Sequence, residues 1–336
     1  MLSTLALKYC HQILFDPKFL IRKEFKFKKL PIIVRMLIMQ LMDPAERLHY
    51  KKGTLIENTA LAINKMSSVF NMDGLEMLFT KVTSSLIRLK NIFSNDTFKS
   101  SWDKITVHDI VLNSEIVNFF LNMADRRKEF QIFDCDMPLD FKHENALKFG
   151  TTDYGDARWV TLRDMLKIRG VENVALYRTT LTSNHVRHFI SHWINCRNDM
   201  FEWMRITAME IIQLGGELFN ELVVLEHHFN PPNIVYFTLA KSTSRVFKLL
   251  EIYHEVNSVI LSASESYDER RNGNEEEMLK NVYEILELLE KEKTLEKELE
   301  EIKDVAKRRV YRDQIQELER KIHELGVVYR DGRATI

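Results

Sequence analysis

From Glu275 to Leu325 the chain runs without a single glycine or proline, and almost every polar position in that run is charged. Such a stretch has nothing to break a helix and too many charges to be buried on all sides. Val282, Ile285 and Leu289 step by three and four residues. So do Leu299, Ile302 and Ala306, and then Tyr311, Ile315, Leu318, Ile322 and Leu325. Glu276 and Lys280, Glu287 and Lys291, and Glu317 and Lys321 stand as favourable pairs four residues apart. Gly273 and Gly326 bracket the run, and the stripe changes phase near Ala306–Tyr311 as a stutter would make it. The pattern predicts a long charged helix or helical hairpin over residues 273–326 with a coiled-coil-like seam. The alternative is a single solvated helix. The phase change argues against a long uniform dimer, so the expectation is an arm that covers its own apolar stripe, with any self-association weak.

The rest of the chain is of another kind. With 336 residues and 45% hydrophobic positions it is long enough for a sizeable core and for more than one domain. A net charge of −1 gives no field that would call for nucleic acid or a membrane surface. The basic run Ile21–Lys29 is read as a solvated arm. Cys10, Cys135 and Cys196 are too few and too scattered for a disulfide framework or a zinc knuckle, and point to a reducing compartment, cytosol or nucleus. The N-terminal apolar patch lacks the basic start and cleavage site of a signal peptide, and no window approaches the length of a membrane span.

Residues 1–24 read as a helical or frayed leader. A helical stripe is predicted over Met72–Phe93, through Leu75, Leu78, Phe79, Val82, Leu86 and Leu89. Short alternating runs then appear at Ile105–Leu112, Phe130–Asp134, Val174–Tyr177 and Phe201–Ile206. Helical stretches lie between them at Ser114–Arg126, Leu162–Ile168 and Asn184–Asn195. Strands alternating with helices argue for parallel pairing and an irregular, leucine-rich-repeat-like layer. Leu214–Ser262, split by Pro231-Pro232, yields no assignment. Asp331-Gly332 between two short strand-like runs is a two-residue hairpin signal.

Three blocks resemble a known family. Phe25–Leu48, FKFKKLPIIVRMLIMQLMDPAERL, has Pro31 placed for a first helical turn, an apolar face of Val34, Leu37, Ile38 and Leu41, and an Asp-Pro break at Pro44. This order resembles the first half of an F-box, the helical module that docks on the Skp adaptor of cullin–RING ubiquitin ligases. Ile56, Ala60 and Ile63 offer a further helical face, without the module's usual Ser/Cys-Lys/Arg pattern. In Trp159–Ile206, Thr182, Ser183 or Asn184 can cap a helix whose apolar face is Val186, Phe189, Ile190, Trp193 and Ile194. Leu181, Thr182, Phe189, Ile190, His192, Trp193, Phe201 and Ile206 resemble the F-box-associated type 2 domain of nematode F-box proteins. The closing Arg330-Asp331-Gly332 run through Ile336 is similar to the end of that domain. The insert between Ile206 and Val327 departs from it.

His185, His188 and His192, with Cys196 one turn later, share a helix and are of metal-ligating type, but no acidic ligand or HExxH arrangement accompanies them. No phosphate loop, nucleophile elbow or paired-carboxylate motif is visible, and neither metal nor cofactor is expected. The fold class implied is α+β. F-box-like helices (25–70) precede a β/α F-box-associated domain (71–262), the charged helix (273–326) and a terminal β-hairpin (327–336). The resemblance implies a non-catalytic adaptor of a Skp–cullin–F-box ligase. Leu30, Pro31, Val34, Leu37, Ile38, Leu41 and Pro44 would bind the Skp-type adaptor and its cullin complex, and the β/α domain would bind a protein substrate of unknown identity. A scaffold that has lost docking and self-associates through the charged helix is the second reading. A metal-dependent hydrolase built on the His185 helix is the third.

Overall fold

The computed structural model describes residues 54–68, 74–80, 86–108, 112–214, 222–229, 233–265, 273–330 and 332–336. The chain divides into two compact units, Met1–Trp159 and Val160–Ile336.

In the first unit, helix α1 (Leu55–Ser67) begins at a capping box. The Glu57 amide donates to Thr54 Oγ1 at 3.3 Å, and the Thr54 amide donates to Glu57 Oε2 at 2.7 Å. Its Ala60, Ile63 and Met66 are buried. Strands β1 (Leu75–Thr80), β2 (Trp102–His108), β3 (Glu129–Phe133) and β4 (Thr151–Tyr154) lie side by side in chain order, each parallel to the next. Helices α2 (Leu86–Phe93), α3 (Asp96–Ser101) and α4 (Ser114–Leu121) fall between them. This is the sequential β/α layering expected from the alternating runs.

The helical stripe predicted over 72–93 is corrected in its first part. Leu75, Met77 and Phe79 are buried while Leu78 is 37% exposed, so the segment follows the period of two and forms β1. Among the described residues of this stretch, Leu86–Phe93 is helical. The expected helix Ser114–Arg126 is also shorter and stops at Leu121. Its start is fixed by Asn113, whose Oδ1 accepts from the Ile116 amide at 2.9 Å.

The core of this unit is a chain of aromatic rings. Phe79 meets Phe120 at 5.4 Å between centroids, Phe120 meets Phe130 at 5.8 Å, and Phe130 stacks on Phe149 at 5.1 Å. Tyr154 and Phe141 each meet Trp159 edge-on, at 5.1 and 5.2 Å. The buried Tyr154 hydroxyl donates to the Ala146 carbonyl at 2.7 Å, which removes the cost of burying it. Gly150 is fixed by a close approach: a Cβ there would stand 2.1 Å from the Arg126 carbonyl oxygen.

The second unit opens with helix α5 (Leu162–Met165), strand β5 (Val171–Thr179), helix α6 (Ser183–Asn195) and strand β6 (Phe201–Ala208), which pairs parallel with β5. The unassigned segment folds as four strands, β7 (Leu225–Phe229), β8 (Asn233–Leu239), β9 (Leu249–His254) and β10 (Ser258–Ser264). Their pairing is antiparallel from β7 through β8 and β9 to β10, and β10 pairs antiparallel with β6. The charged run forms two helices, α7 (Gly273–Glu301) and α8 (Val305–Glu324), broken at 302–304. Asp304 caps α8 by accepting from the Ala306 and Lys307 amides. The two helices pack antiparallel: Glu298 hydrogen-bonds Tyr311, and Glu319 lies beside Glu292 and Glu296. The hairpin form of the expectation therefore holds, and the phase change precedes the seam of the second helix.

Leu279, Val282, Ile285, Leu286 and Leu289 of α7 and Ile322 of α8 share one buried cluster with Leu225, Val235, Phe237, Leu239 and Leu249 of the sheet. Beyond Leu289 the apolar stripe fades: Val305 is 82% and Val310 53% exposed. Strands β11 (Val328–Arg330) and β12 (Arg333–Thr335) close the chain as an antiparallel pair, with Arg330 opposite Arg333. Strand β12 then adds in parallel to β7, Ala334 opposite Leu225. Asp331 lies outside the described residues. Gly332 has φ of +76°, which a side chain rarely adopts.

Two substitutions test this packing. Trp193 is fully buried on α6. Trp193→Ala is expected to lower unfolding free energy by about 3–5 kcal/mol in urea titration. Gly332 has open space around its missing Cβ, so Gly332→Val probes backbone strain alone. Faster amide exchange confined to β11, β12 and β7 is expected; unchanged exchange would contradict the hairpin.

Candidate interaction surface

Parallel strands placed in register bring every second side chain into transverse rows. In the first unit Ile105, Val107, Phe130, Ile132 and Tyr154 turn to the core, leaving the alternate residues on the opposite face, where Thr106 is buried and its neighbours are partly exposed. Register sets Glu76, Lys104, Glu129 and Thr151 in one row and Leu78, Thr106, Gln131 and Asp153 in the next. Lys104 Nζ lies 3.8 Å from Glu76 and 3.5 Å from Glu129. Partly exposed pairs of this kind contribute roughly 0–1 kcal/mol each, so they set the pattern of charge more than the stability. His108 Nε2 lies 2.8 Å from Asp134 Oδ2, at the far end of the rows. Asp134 reaches it from a φ of +50°, just past the end of β3.

Asp153 is the perturbed member of this face. Its Oδ1 is buried and lacks a hydrogen-bond partner, and burial pushes its carboxyl up to about 6 against the pull of Lys104. A perturbed carboxyl among open polar groups marks a candidate functional surface.

In the second unit the corresponding alternate residues of β5, β6, β10 and β9 include Asn173 opposite Trp203, Trp203 opposite Ser262, Arg205 opposite Ile260, and Ile260 opposite Tyr253. Trp203, Ile260 and Tyr253 are partly buried. Arg205 is held by Glu255 at 3.0 Å and by Ser258 Oγ at 3.3 Å. Aromatic side chains and arginine that keep exposed area are the residue types that anchor protein interfaces.

The adaptor-binding residues expected from the sequence, Leu30, Pro31, Val34, Leu37, Ile38, Leu41 and Pro44, lie outside the described residues. The three histidines of α6 each have a local role. His185 Nδ1 accepts from the Thr182 amide at 3.1 Å as the reciprocal half of a capping box. His188 Nδ1 lies 2.9 Å from the Asn184 carbonyl, and His192 hydrogen-bonds the Leu166 carbonyl. Cys196 is buried at the end of the helix. Among the described residues no group of three His, Cys, Asp or Glu side chains is placed to hold a metal ion. Nor is any described helix long and apolar enough to cross a membrane.

The open faces escaped sequence reasoning. Their signal was the polar half of each alternating run, Lys104, Thr106 and His108 in β2 and Glu129 and Gln131 in β3.

Residues 138–206 match the F-box-associated family model. The segment runs from Pro138 through β4, β5 and α6 to Ile206 in β6, and contains the helix-cap, Phe-Ile and Trp residues named above. No curated protein and no solved structure matches the chain.

The protonation of Asp153 gives a pH test. The folded value, about 6, lies above the ordinary 3.8, so between those limits the folded state holds a proton that the unfolded chain has released. Stability from this group therefore falls as pH rises through that window. Asp153→Asn is expected to be more stable than the native chain at neutral pH, with the gap closing below about pH 4. Urea midpoints of both chains across that range measure it; a gap independent of pH would refute the assignment.

Proposed function

We propose that this chain is a substrate-recognition adaptor of a Skp–cullin–F-box-type ubiquitin ligase. The observation that carries the reading is the F-box-associated match over residues 138–206, in a family tied in general to F-box substrate recognition. The open rows of β1–β4 and the Trp203, Ile260 and Tyr253 patch supply faces on which a protein target can dock. On this reading Leu30, Pro31, Val34, Leu37, Ile38, Leu41 and Pro44 bury themselves on the Skp-type adaptor, and catalysis belongs to other subunits.

The scaffold reading asked the charged helix to self-associate. Ile315, Leu318 and Ile322 are buried within the chain, and we therefore favour the adaptor reading over a scaffold built on that seam.

The test is capture of the full chain by a purified Skp adaptor. Four or five aliphatic side chains, each contributing roughly 1.5–3 kcal/mol when fully buried, carry the contact before association costs. Native protein is expected to bind, and Leu37→Asp is expected to abolish binding while the urea transition of the β/α units stays in place. Failure of the native chain to bind, or equal binding by the variant, would remove the adaptor role.

A further inference from the structure

Beside the point where the apolar stripe of α7 ends, the second unit has a groove of about 590 Å³. Val223 and Leu289 form its apolar wall, and Glu292, Glu296, Glu319 and Tyr329 supply its polar lining. The volume is in the range of sites that take a side chain or a small molecule.

The charges in this groove do not balance. Glu292 is only 8% exposed, yet its one hydrogen bond comes from the Tyr329 hydroxyl at 3.3 Å, a neutral donor. Glu296 and Glu319 stand beside it as further carboxylates, and none of the three makes an ion pair among the described residues. Two cations line the same space but are directed elsewhere. Arg333 Nη1 lies 2.8 Å from Glu226, and Lys293 Nζ donates to the Leu222 carbonyl at 3.4 Å. A carboxylate withdrawn from water with no counter-ion is unfavourable, and two like charges beside it make it more so. Burial and those two neighbours push the Glu292 carboxyl up; burial first, and then Glu292, Glu319 and Glu296, push the Tyr329 hydroxyl up to about 12. The groove thus sets four carboxylates, Glu226, Glu292, Glu296 and Glu319, against two cations, Lys293 and Arg333.

We propose that this groove binds a cationic side chain, arginine or lysine, presented by the protein that the adaptor recognises. The ammonium or guanidinium group meets Glu292 at the buried end, with Glu296 and Glu319 flanking it, and the alkyl stem lies along Leu289 and Val223. The mode suits a peptide because the cavity opens beside the exposed terminal hairpin, where a backbone can lie outside it. The inference deepens the adaptor reading by naming the chemistry of the target.

The experiment uses the full chain and two labelled glycine-serine peptides, one with a central arginine and one with citrulline in its place, followed by fluorescence anisotropy. The arginine peptide is expected to bind about tenfold more tightly than its neutral twin, and less tightly as salt is raised. Glu292→Gln keeps an acceptor for the Tyr329 hydroxyl and removes the charge. It is expected to reduce arginine-peptide binding to the citrulline level while the melting temperature stays level or rises. Glu287→Gln, on the exposed face of α7, is expected to change nothing. Equal binding of the two peptides, no binding at concentrations on the order of 1 mM, or unchanged binding by Glu292→Gln would overturn the proposal. A fall in melting temperature for Glu292→Gln would make the residue structural and would also overturn it. Agmatine alone binding as tightly as the peptide would overturn the protein source and leave a small-amine site. Loss of Skp-adaptor capture with arginine-peptide binding intact would sink the adaptor reading and leave the groove standing.

Discussion

The second unit depends on one buried cation. None of the Arg245 side chain is exposed, and its guanidinium lies 3.8 Å from the centre of the Trp193 ring. Its Nη1 donates to the Trp193 carbonyl at 2.7 Å, and its Nε faces Asp199 Oδ1 at 3.4 Å. Asp199 also accepts from the Val246 and Phe247 amides. A desolvated cation over indole gains roughly 2 kcal/mol or more, and without Asp199 and the ring its burial would be costly. This clamp joins the end of α6 and the turn into β6 to the loop between β8 and β9. Ser244 Oγ to the Arg197 carbonyl and the Lys241 amide to the Ile194 carbonyl tighten the same joint. Through it, α6 and β6 are fixed to the antiparallel strands that follow.

That joint explains how the parallel pair β5–β6 and the antiparallel strands that follow it hold together as one sheet. The antiparallel strands extend an edge that the parallel pair β5–β6 leaves available, since β10 pairs with β6 residue for residue from Ser258 to Ser262. A strand edge is an open template for further pairing. Each added strand then offers the next edge, until β12 and β11 end the series. The helical hairpin covers one face of the added strands with the leucines of α7. The long insert is thus an extension of the sheet with its own helical cover.

Legibility in the sequence followed the physics of each segment. The β2, β3, β5 and β6 runs were readable because one face is buried and the other is polar, so alternation shows. Strand β1 was not, because Leu75, Leu78, Phe79, Val82 and Leu86 satisfy a helical spacing as well as Leu75, Met77 and Phe79 satisfy a strand. Only pairing with Trp102–His108 decides between them. The strands β7–β10 carried a real signal in IVYFTL and SVILSAS, but with apolar residues on both faces the period is hidden. Trp193 was legible as a core anchor. Arg245 was not, since a lone arginine in a serine-rich loop looks solvated until the fold brings Trp193 and Asp199 to it. The faces that invite partners were half legible: the sequence gives their polar positions, while register alone places them in rows.

The charged hairpin shows how one helix can serve two environments. At 29 residues α7 is about 43 Å long, and its buried apolar positions stop at Leu289. Up to that residue the leucines at three- and four-residue steps lie on the sheet. Past it the sheet no longer provides apolar cover, and the same face turns to Glu292 and Glu296, then to the exposed end around Val305. α8 returns with Ile315, Leu318 and Ile322 inward and rejoins the core where the terminal strands begin. The helices therefore diverge from the sheet at the level of Glu292, and a gap opens between the hairpin and the strand ends. Leucine there would extend the core and close the gap. Three carboxylates of the hairpin line it instead. A buried carboxylate without a counter-ion costs stability, and a cation arriving from a partner is the simplest physical way to offset that cost.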